Sequence, residues 1–388
     1  MANIIRKVSI LGAGSFGTAI AQYIARHADK KKIAVTLYGR DEKSIGDIRK
    51  KHENTKRLPG IPLSDRLNAT GSLETTLTDC DLAILAVPAQ HLRTFLREVT
   101  PHLPEKTILL NPAKGIEKTT RKRMSEVISE TVGKKRAAQS FASLGGPSFA
   151  ADIASEKPVG VTLCSRNRVV LNKLYSFLNS PTFDVKITTD EAGLEYGGAL
   201  KNIFAIAAGI FRGCHLGGSI PGDYFTRSMV EMRDVGMFCG GKWSTFSGRC
   251  GLGDLAVTCT ESSRNFRFGR IYAEMFNSKK IPQNVAELKN MHNTVFHETI
   301  EQLGTRTVEG FDTVEPIYEL VERHRIFTPI IRSCYRLLYK RDITPSEMLP
   351  TIRAIDIKRK NEGLNVLSIL MHELFPRLWY RRMTRRTG

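Results

Sequence analysis

Lys7-Val-Ser-Ile-Leu11, then Gly12-Ala-Gly14-Ser15-Phe16-Gly17, then Thr18 to His27 with Ile20 and Ile24 at helical spacing: this stretch decides the fold. A short apolar run, a G-x-G-x-x-G turn and an amphipathic run in direct succession read as strand, glycine loop and helix. That is the context in which the glycine pattern carries meaning. Gly12 permits the tight turn, Gly14 lets backbone approach a pyrophosphate, and Gly17 lets the helix pack closely on the strand. The helix N-terminus adds unpaired N–H groups and partial positive charge. The motif therefore predicts a dinucleotide-binding loop.

Working outward, Ile33 to Tyr38 reads as a second strand. Further β-rich runs follow at Leu82 to Val87, Thr107 to Asn111, Ser140 to Gly145 and Val159 to Cys164, with helix-like stretches between several of them. This alternation predicts an α/β, mostly parallel, doubly wound Rossmann-like domain. After about Asp190 the rhythm changes: Glu195 to Arg212, Thr226 to Cys239 and Glu315 to Arg325 look helical. Phe276 to Asn290 looks like a loop or a connecting helix. The expected division is a dinucleotide-binding domain over 1–188, an all-α substrate domain over 189–350 and a basic extension over 351–388.

An NAD-selective site of this kind ends its second strand in an acidic side chain that accepts hydrogen bonds from the ribose 2′-OH. Here that end reads Tyr38-Gly39-Arg40-Asp41. Arg40 suits a 2′-phosphate, which favours NADP(H), while Asp41 beside it keeps NAD(H) open.

The chain has 388 residues, 41% hydrophobic and 25% charged, which excludes wholesale disorder and suggests two or three domains. No apolar run approaches the length of a membrane-spanning helix, and the first strand starts too close to Met1 for a signal peptide. A cytoplasmic protein is expected. The seven cysteines are scattered and show no zinc spacing, so no metal site is expected and a reducing compartment fits. Lys and Arg outnumber Asp and Glu by 58 to 39, a formal charge of +19. That excess attracts anions such as phosphorylated metabolites, a membrane surface or nucleic acid, or simply keeps the protein soluble.

Read in order, Gly12-Ala-Gly-Ser-Phe-Gly17, Val87-Pro88-Ala-Gln90, Asn111-Pro-Ala-Lys114-Gly-Ile-Glu117, Gly146-Pro-Ser148-Phe-Ala150, Leu200-Lys201-Asn202, Gly251-Leu-Gly-Asp254-Leu255 and Ser263-Arg264-Asn265 form one ordered set. Over about residues 7 to 350 the chain resembles the NAD(P)-dependent glycerol-3-phosphate dehydrogenase family. The resemblance implies reversible hydride transfer between NAD(P)H and dihydroxyacetone phosphate, giving sn-glycerol 3-phosphate for phospholipid synthesis, in an enzyme that is commonly a homodimer.

Reducing a ketone needs a proton donor at the developing alkoxide and a cationic site for the substrate phosphate. By resemblance Lys201 is the catalytic lysine, in a small-residue segment that lets its helix pack closely on the nicotinamide pocket. Lys114 is the second active-site lysine, and two nearby ammonium groups would lower each other's pKa. Asp254 is expected to orient Lys201, and Thr258 to hydrogen-bond the substrate. Arg264 and Asn265 match the phosphate-binding pair, one a planar fork and the other a neutral donor. Gly146 and Ser148 join the substrate site. Ser15, Phe16, Arg40, Pro88, Lys114, Ala150 and Arg264 join the three glycines around the cofactor. Each also has a plainer reading: a lysine on a helix as a solvated charge, an Asp after glycine as a helix cap, Arg40 as a loop charge.

The chain departs from the family's pattern at Gly217-Gly-Ser219-Ile-Pro221-Gly222-Asp223, where Ser219 stands at an Asn position. Pro221 and Gly222 would loosen a helix interior by roughly 3 and 1 kcal/mol relative to Ala. Asp152 replaces a Glu, and the stretch Thr258 to Arg264 is slightly short. Alternative readings are a dehydrogenase of another phosphorylated or carboxylated hydroxy substrate, and a non-catalytic dinucleotide-sensing module.

Residues 351–388 hold nine Lys or Arg against three Asp or Glu. Leu364, Leu367, Met371, Leu374 and Leu378 lie near helical spacing, and Trp379-Tyr380 precede Arg381-Arg382 and Arg385-Arg386. Such a segment packs on its own core or a dimer mate, or docks peripherally on anionic lipid. Nucleic acid is disfavoured, since no recognised nucleic-acid motif accompanies the charge.

Overall fold

Val8 and Ile10 point to one side of the first strand and Leu11 to the other, and both sides are buried. A strand covered on two faces needs apolar residues at consecutive positions, which is why these strands read as short continuous runs. The computed structural model describes residues 4–28, 32–282, 284–304 and 307–361. Within them the chain forms two compact units. One comprises the residues up to Lys114 together with Lys122–Glu195; the other comprises Gly115–Arg121 together with the residues from Tyr196 onward.

The first unit is built on an eight-stranded sheet. Its strands are β1 (Lys7–Leu11), β2 (Ala34–Tyr38), β3 (Leu67–Thr70), β4 (Leu82–Leu85), β5 (Ile108–Asn111), β6 (Phe141–Gly145), β7 (Val159–Cys164) and β8 (Phe183–Thr188). Their order is β3-β2-β1-β4-β5-β6-β7-β8. β1 to β6 run parallel, and β7 pairs antiparallel with β6, as in the register Leu144 opposite Leu163. The expected mostly parallel, doubly wound sheet is the observed one. Alternate strand residues feed two apolar clusters, Val35, Leu37, Ile84 and Leu110 on one face and Ala83, Leu85 and Leu109 on the other. Helices α1 (Ser15–Arg26), α2 (Glu42–Lys51), α3 (Leu92–Val99), α4 (Met124–Val132) and α5 (Arg168–Leu178) complete the layers.

Two strands lie beyond the expected set, β3 and β8, and they are the two edges of the sheet. β3, Leu-Asn-Ala-Thr, has weak strand propensity of its own and forms because β2 offers it a parallel partner. β8 alternates buried Phe183 and Val185 with exposed Asp184 and Lys186, a period-two pattern that marks a half-buried edge.

The second unit is helical among its described residues: α6 (Glu191–Gly213, whose first residues belong to the first unit), α7 (Ile220–Phe238), α8 (Asp254–Thr258), α9 (Arg264–Asn277), α10 (Val285–Leu303), α11 (Glu309–Arg323), α12 (Pro329–Tyr335) and α13 (Met348–Asn361). The expected all-α character holds. The stretch 276–290 takes in the end of α9 and the start of α10, and Asn284 caps α10 by accepting the Glu287 N–H at 2.8 Å. The expected cost of Pro221 and Gly222 in a helix interior does not arise. α7 starts at Ile220, so Pro221 sits in the first turn, where its fixed φ suits the helix and its missing N–H has no partner to lose. The Leu364 to Arg386 pattern lies outside the described residues.

Gly115–Arg121 joins the second unit through specific contacts. Ile116 is buried in its core, Lys118 pairs with Glu315 at 3.1 Å and lies over the Tyr339 ring, and Arg121 pairs with Glu319.

At the start of α6, within the first unit, the buried Glu195 carboxylate accepts the Ser125 N–H at 2.7 Å, the Ser125 hydroxyl at 2.6 Å and Arg123 at 3.1 Å. Burial pushes this carboxyl from 4.5 up to about 7; Arg123 and Ser125 act the other way and Glu191 reinforces the rise. Between those pH values the folded chain keeps a proton that the unfolded chain has lost, so this group's stabilisation falls as pH rises. The unfolding free energy of the wild type minus that of Glu195→Gln is therefore expected to drop by about 3 kcal/mol from pH 4.5 to 7 and then level off. Urea unfolding across that range checks it, and a pH-independent difference would refute the raised pKa.

Candidate active site

In an open parallel sheet, ligands collect outside the carboxyl ends of the strands where the strand order reverses. Here the reversal lies between β1 and β4. The loops leaving β1, β2, β4, β5 and β6 at that end carry Gly12 to Gly17, Arg40, Pro88, Lys114, and Gly146 to Ala150 respectively. The sheet thus gathers onto one edge the residues expected to hold a dinucleotide in the first unit.

Gly12 has φ +126°, and a Cβ there would lie 2.4 Å from the Ala86 carbonyl oxygen. A Cβ on Gly17 would lie 1.9 Å from the Gly12 oxygen, so any side chain at either position displaces backbone. At Gly14, by contrast, a Cβ would meet no described atom within 4 Å, so that side of the loop is open. No side chain caps the N-terminus of α1. Tight glycines, an open face and an uncapped helix start fit a pyrophosphate.

The loop is braced by a residue to which sequence reasoning assigned no role. Asn54, fully buried in the turn after α2, donates to the Ala13 carbonyl at 3.1 Å and to the Thr18 hydroxyl at 2.8 Å. The Ser15 hydroxyl donates to the Arg57 carbonyl at 2.6 Å, and Phe16 packs on the core. At the end of β2, Arg40 is exposed. Asp41 accepts from Lys56 at 2.9 Å and from the Ser44 hydroxyl at 2.9 Å.

Lys114 follows β5 in a turn held by Asn111, whose side chain both accepts the Ala113 N–H and donates to the Ala113 carbonyl. Its Nζ donates to the Gly146 carbonyl at 3.0 Å, and the Ser148 hydroxyl donates to the same oxygen at 3.2 Å. Lys114, Gly146 and Ser148 therefore form one cluster. Asp152, two residues past Ala150, lies 3.7 Å from Lys157.

In the second unit Lys201 is buried on α6. Its ammonium donates to Asp254 and, at 2.9 Å, to the Thr258 hydroxyl, which in turn donates to the Asp254 carbonyl. The small residues before Lys201 have a visible use: a Cβ on Gly197 would lie 2.5 Å from the Cys250 carbonyl oxygen. α6 can thus press against the Arg249–Gly253 turn that delivers Asp254. Burial pushes the Cys259 thiol up to about 12, with the charge of Lys201 acting in the opposite direction.

Arg264 is exposed in the first turn of α9, whose N-terminus has no side-chain cap. Asn265 next to it is buried and already engaged: its amide donates to Asn202 at 3.0 Å and accepts the Gly310 N–H at 2.9 Å. Asn202 donates onward to Glu309 at 3.2 Å. An amide carries two N–H bonds, so Asn265 can hold Asn202 and still donate once more. Asn202 and Glu309 had no assigned role in sequence reasoning, although Asn202 lies beside Lys201 in the chain. Among the described residues no group of three or more His, Cys, Asp or Glu is placed to hold a metal, and no helix is long and apolar enough to cross a membrane.

Two family models match the chain: the NAD-dependent glycerol-3-phosphate dehydrogenase N-terminus over residues 7–170 and the corresponding C-terminus over 190–350. A glycerol-3-phosphate dehydrogenase [NAD(P)+] of Syntrophomonas wolfei is 36% identical over 86% of this chain and 90% of that protein. One from Enterococcus faecalis is 33% identical over 92% of this chain and 98% of its own length. The crystal structure of the Coxiella burnetii glycerol-3-phosphate dehydrogenase superimposes with a TM-score of 0.76 at 29% identity, covering 90% of this chain and 98% of that one.

Proposed function

The chain belongs to the NAD-dependent glycerol-3-phosphate dehydrogenase family, and from that premise we propose how its own residues divide the reaction. It is an NAD(P)-dependent oxidoreductase acting on a CH–OH group, interconverting dihydroxyacetone phosphate and sn-glycerol 3-phosphate for phospholipid synthesis. When bound, the nicotinamide cofactor supplies or receives the hydride. Gly12 to Gly17 and the start of α1 hold its pyrophosphate, with Pro88 and Ala150 beside it and Arg40 favouring a 2′-phosphate.

Lys201 is the general acid of the reduction. Its ammonium gives a proton to the oxygen that becomes the new hydroxyl, and in the reverse direction the amine takes that proton back. Asp254 accepts from the ammonium and, with Thr258, fixes where it points. Lys114, held by the Gly146 carbonyl beside Ser148, is the first unit's cation for the negative charge that develops during reduction. Arg264 and Asn265 hold the substrate phosphate, aided by the uncapped start of α9. In this division the glycine loop and Lys114 belong to residues 1–188, and Lys201, Asp254, Thr258, Arg264 and Asn265 to 189–350.

The observation that carries this reading is a buried lysine held at 2.9 Å by Thr258 and paired with a buried carboxylate, Asp254. Burying a lone ammonium is costly, so a lysine kept there with its counter-ion is suited to moving a proton. Purified protein is expected to oxidise NADPH or NADH with dihydroxyacetone phosphate, and far more slowly with unphosphorylated dihydroxyacetone, followed by absorbance. Turnover only with a carboxylated ketone would move the assignment to another hydroxy-substrate dehydrogenase. Dinucleotide binding without any turnover would support the sensing module.

We further propose a cytoplasmic homodimer. No disulfide joins any of the seven cysteines, which fits a reducing compartment. The 351–388 extension is assigned to packing on its own chain or the dimer mate, with anionic lipid as the competing partner for its basic end.

A further inference from the structure

We propose that Lys56 sets the enzyme's preference for a dinucleotide bearing a 2′-phosphate, by occupying the carboxylate of Asp41 and standing as a second cation beside Arg40. The proposal rests on the dinucleotide-binding reading above, and every contact that carries it lies within the first unit.

The turn that bears Lys56 is built onto the glycine loop. Asn54 donates from inside the turn to Ala13 and Thr18, its side-chain oxygen accepts the Arg57 N–H at 3.1 Å, and its carbonyl accepts the Leu58 N–H at 2.8 Å. Ser15 holds the Arg57 carbonyl from the loop side. On the other flank Thr55 donates to Asp47 at 3.0 Å, and Asp47 is paired with Lys51 at 2.9 Å. These bonds hold the backbone on both sides of Lys56, at Asn54, Thr55 and Arg57, while its side chain is exposed. The turn delivers the Lys56 ammonium to Asp41 Oδ2, 2.9 Å away, at the end of β2.

That position is where an acidic side chain would accept the ribose 2′-OH. Here Oδ2 of Asp41 already accepts from both Lys56 and Ser44. Lys56 and Ser44 hold this carboxyl down at about 2, so it stays a bound carboxylate throughout the neutral range. Lys56 is thereby held on the residue next to Arg40, and its ammonium adds a second cation at the β2 end, which favours a phosphate dianion. Without Lys56, Asp41 would keep only the Ser44 hydroxyl and no counter-ion from this turn, and its uncompensated charge would repel a 2′-phosphate.

Isothermal titration of the full chain with NADPH, NADH, 2′,5′-ADP and 5′-AMP tests this without turnover. Wild type is expected to bind the 2′-phosphorylated member of each pair more tightly. Lys56→Ala should lose NADPH and 2′,5′-ADP affinity on the order of tenfold, the loss of one charge-assisted hydrogen bond, with NADH and 5′-AMP within about twofold of wild type. Lys56→Arg should keep the preference, and adding Asp41→Asn to Lys56→Ala should restore part of it. Equal loss for both members of a pair, or none, would overturn the proposal. Wild type that prefers NADH would overturn it while leaving the dehydrogenase reading in place, and wild type that binds no dinucleotide would overturn both.

Discussion

Lys201→Ala is expected to lower kcat for dihydroxyacetone phosphate reduction on the order of a thousandfold, the scale of a lost general acid. The physical case is the pairing of burial with charge: Lys201 and Asp254 are 7% and 1% exposed, and the Thr258 hydroxyl accepts from the ammonium at 2.9 Å. The same substitution strands the Asp254 carboxylate in the interior, a defect that typically costs several kcal/mol of stability. Thermal unfolding must therefore accompany the rates, and Lys201→Met, which keeps the packing of the stem, separates lost chemistry from lost fold. Dinucleotide affinity belongs to the glycine loop in the first unit and should change little. Folded Lys201→Met that turned over at the wild-type rate would remove the lysine from the proton transfer.

Arg264→Ala should reduce kcat/KM for the phosphorylated substrate by about a hundredfold, chiefly through KM, which matches the loss of roughly 3 kcal/mol of charge-assisted hydrogen bonding. Its exposed place in the first turn of α9 means that the truncation empties no core position. The decisive control is dihydroxyacetone, which lacks the phosphate and whose slow reduction should be nearly indifferent to the change. Arg264→Lys should recover only part of the loss, because an ammonium cannot offer the planar two-pronged fork. Equal losses on both ketones would place Arg264 outside the phosphate site.

Legibility in the sequence followed the range of the interaction. β1, the glycine loop and α1 are contiguous, and the geometry that makes Gly12 and Gly17 obligatory involves only the loop and the neighbouring Ala86. The chain boundaries of α7 were harder. Pro221 has opposite meanings in a first turn and in a helix interior, and the difference of a few residues in where the helix starts decides which applies.

The parallel α/β layering, the glycine loop and the helical second half were legible in the sequence, because apolar periodicity and short motifs are local properties of the chain; Lys114, Lys201, Asp254, Thr258 and Arg264 stood out through resemblance to a family's ordered motifs. Which of these side chains meet, and what braces them, depends on packing between distant segments. Asn54 reaches the glycine loop from the turn after α2, Asn265 is shared between Asn202 and Gly310, and Lys56 claims the carboxylate beside Arg40. Gly115–Arg121 leaves the unit that surrounds it in sequence, since burying Ile116 and pairing Lys118 and Arg121 need partners near residues 315 to 339. Each of these pairings joins residues far apart in the chain, and a hydrogen bond or ion pair between such residues leaves no periodic mark on either segment; it exists only once packing has brought them together.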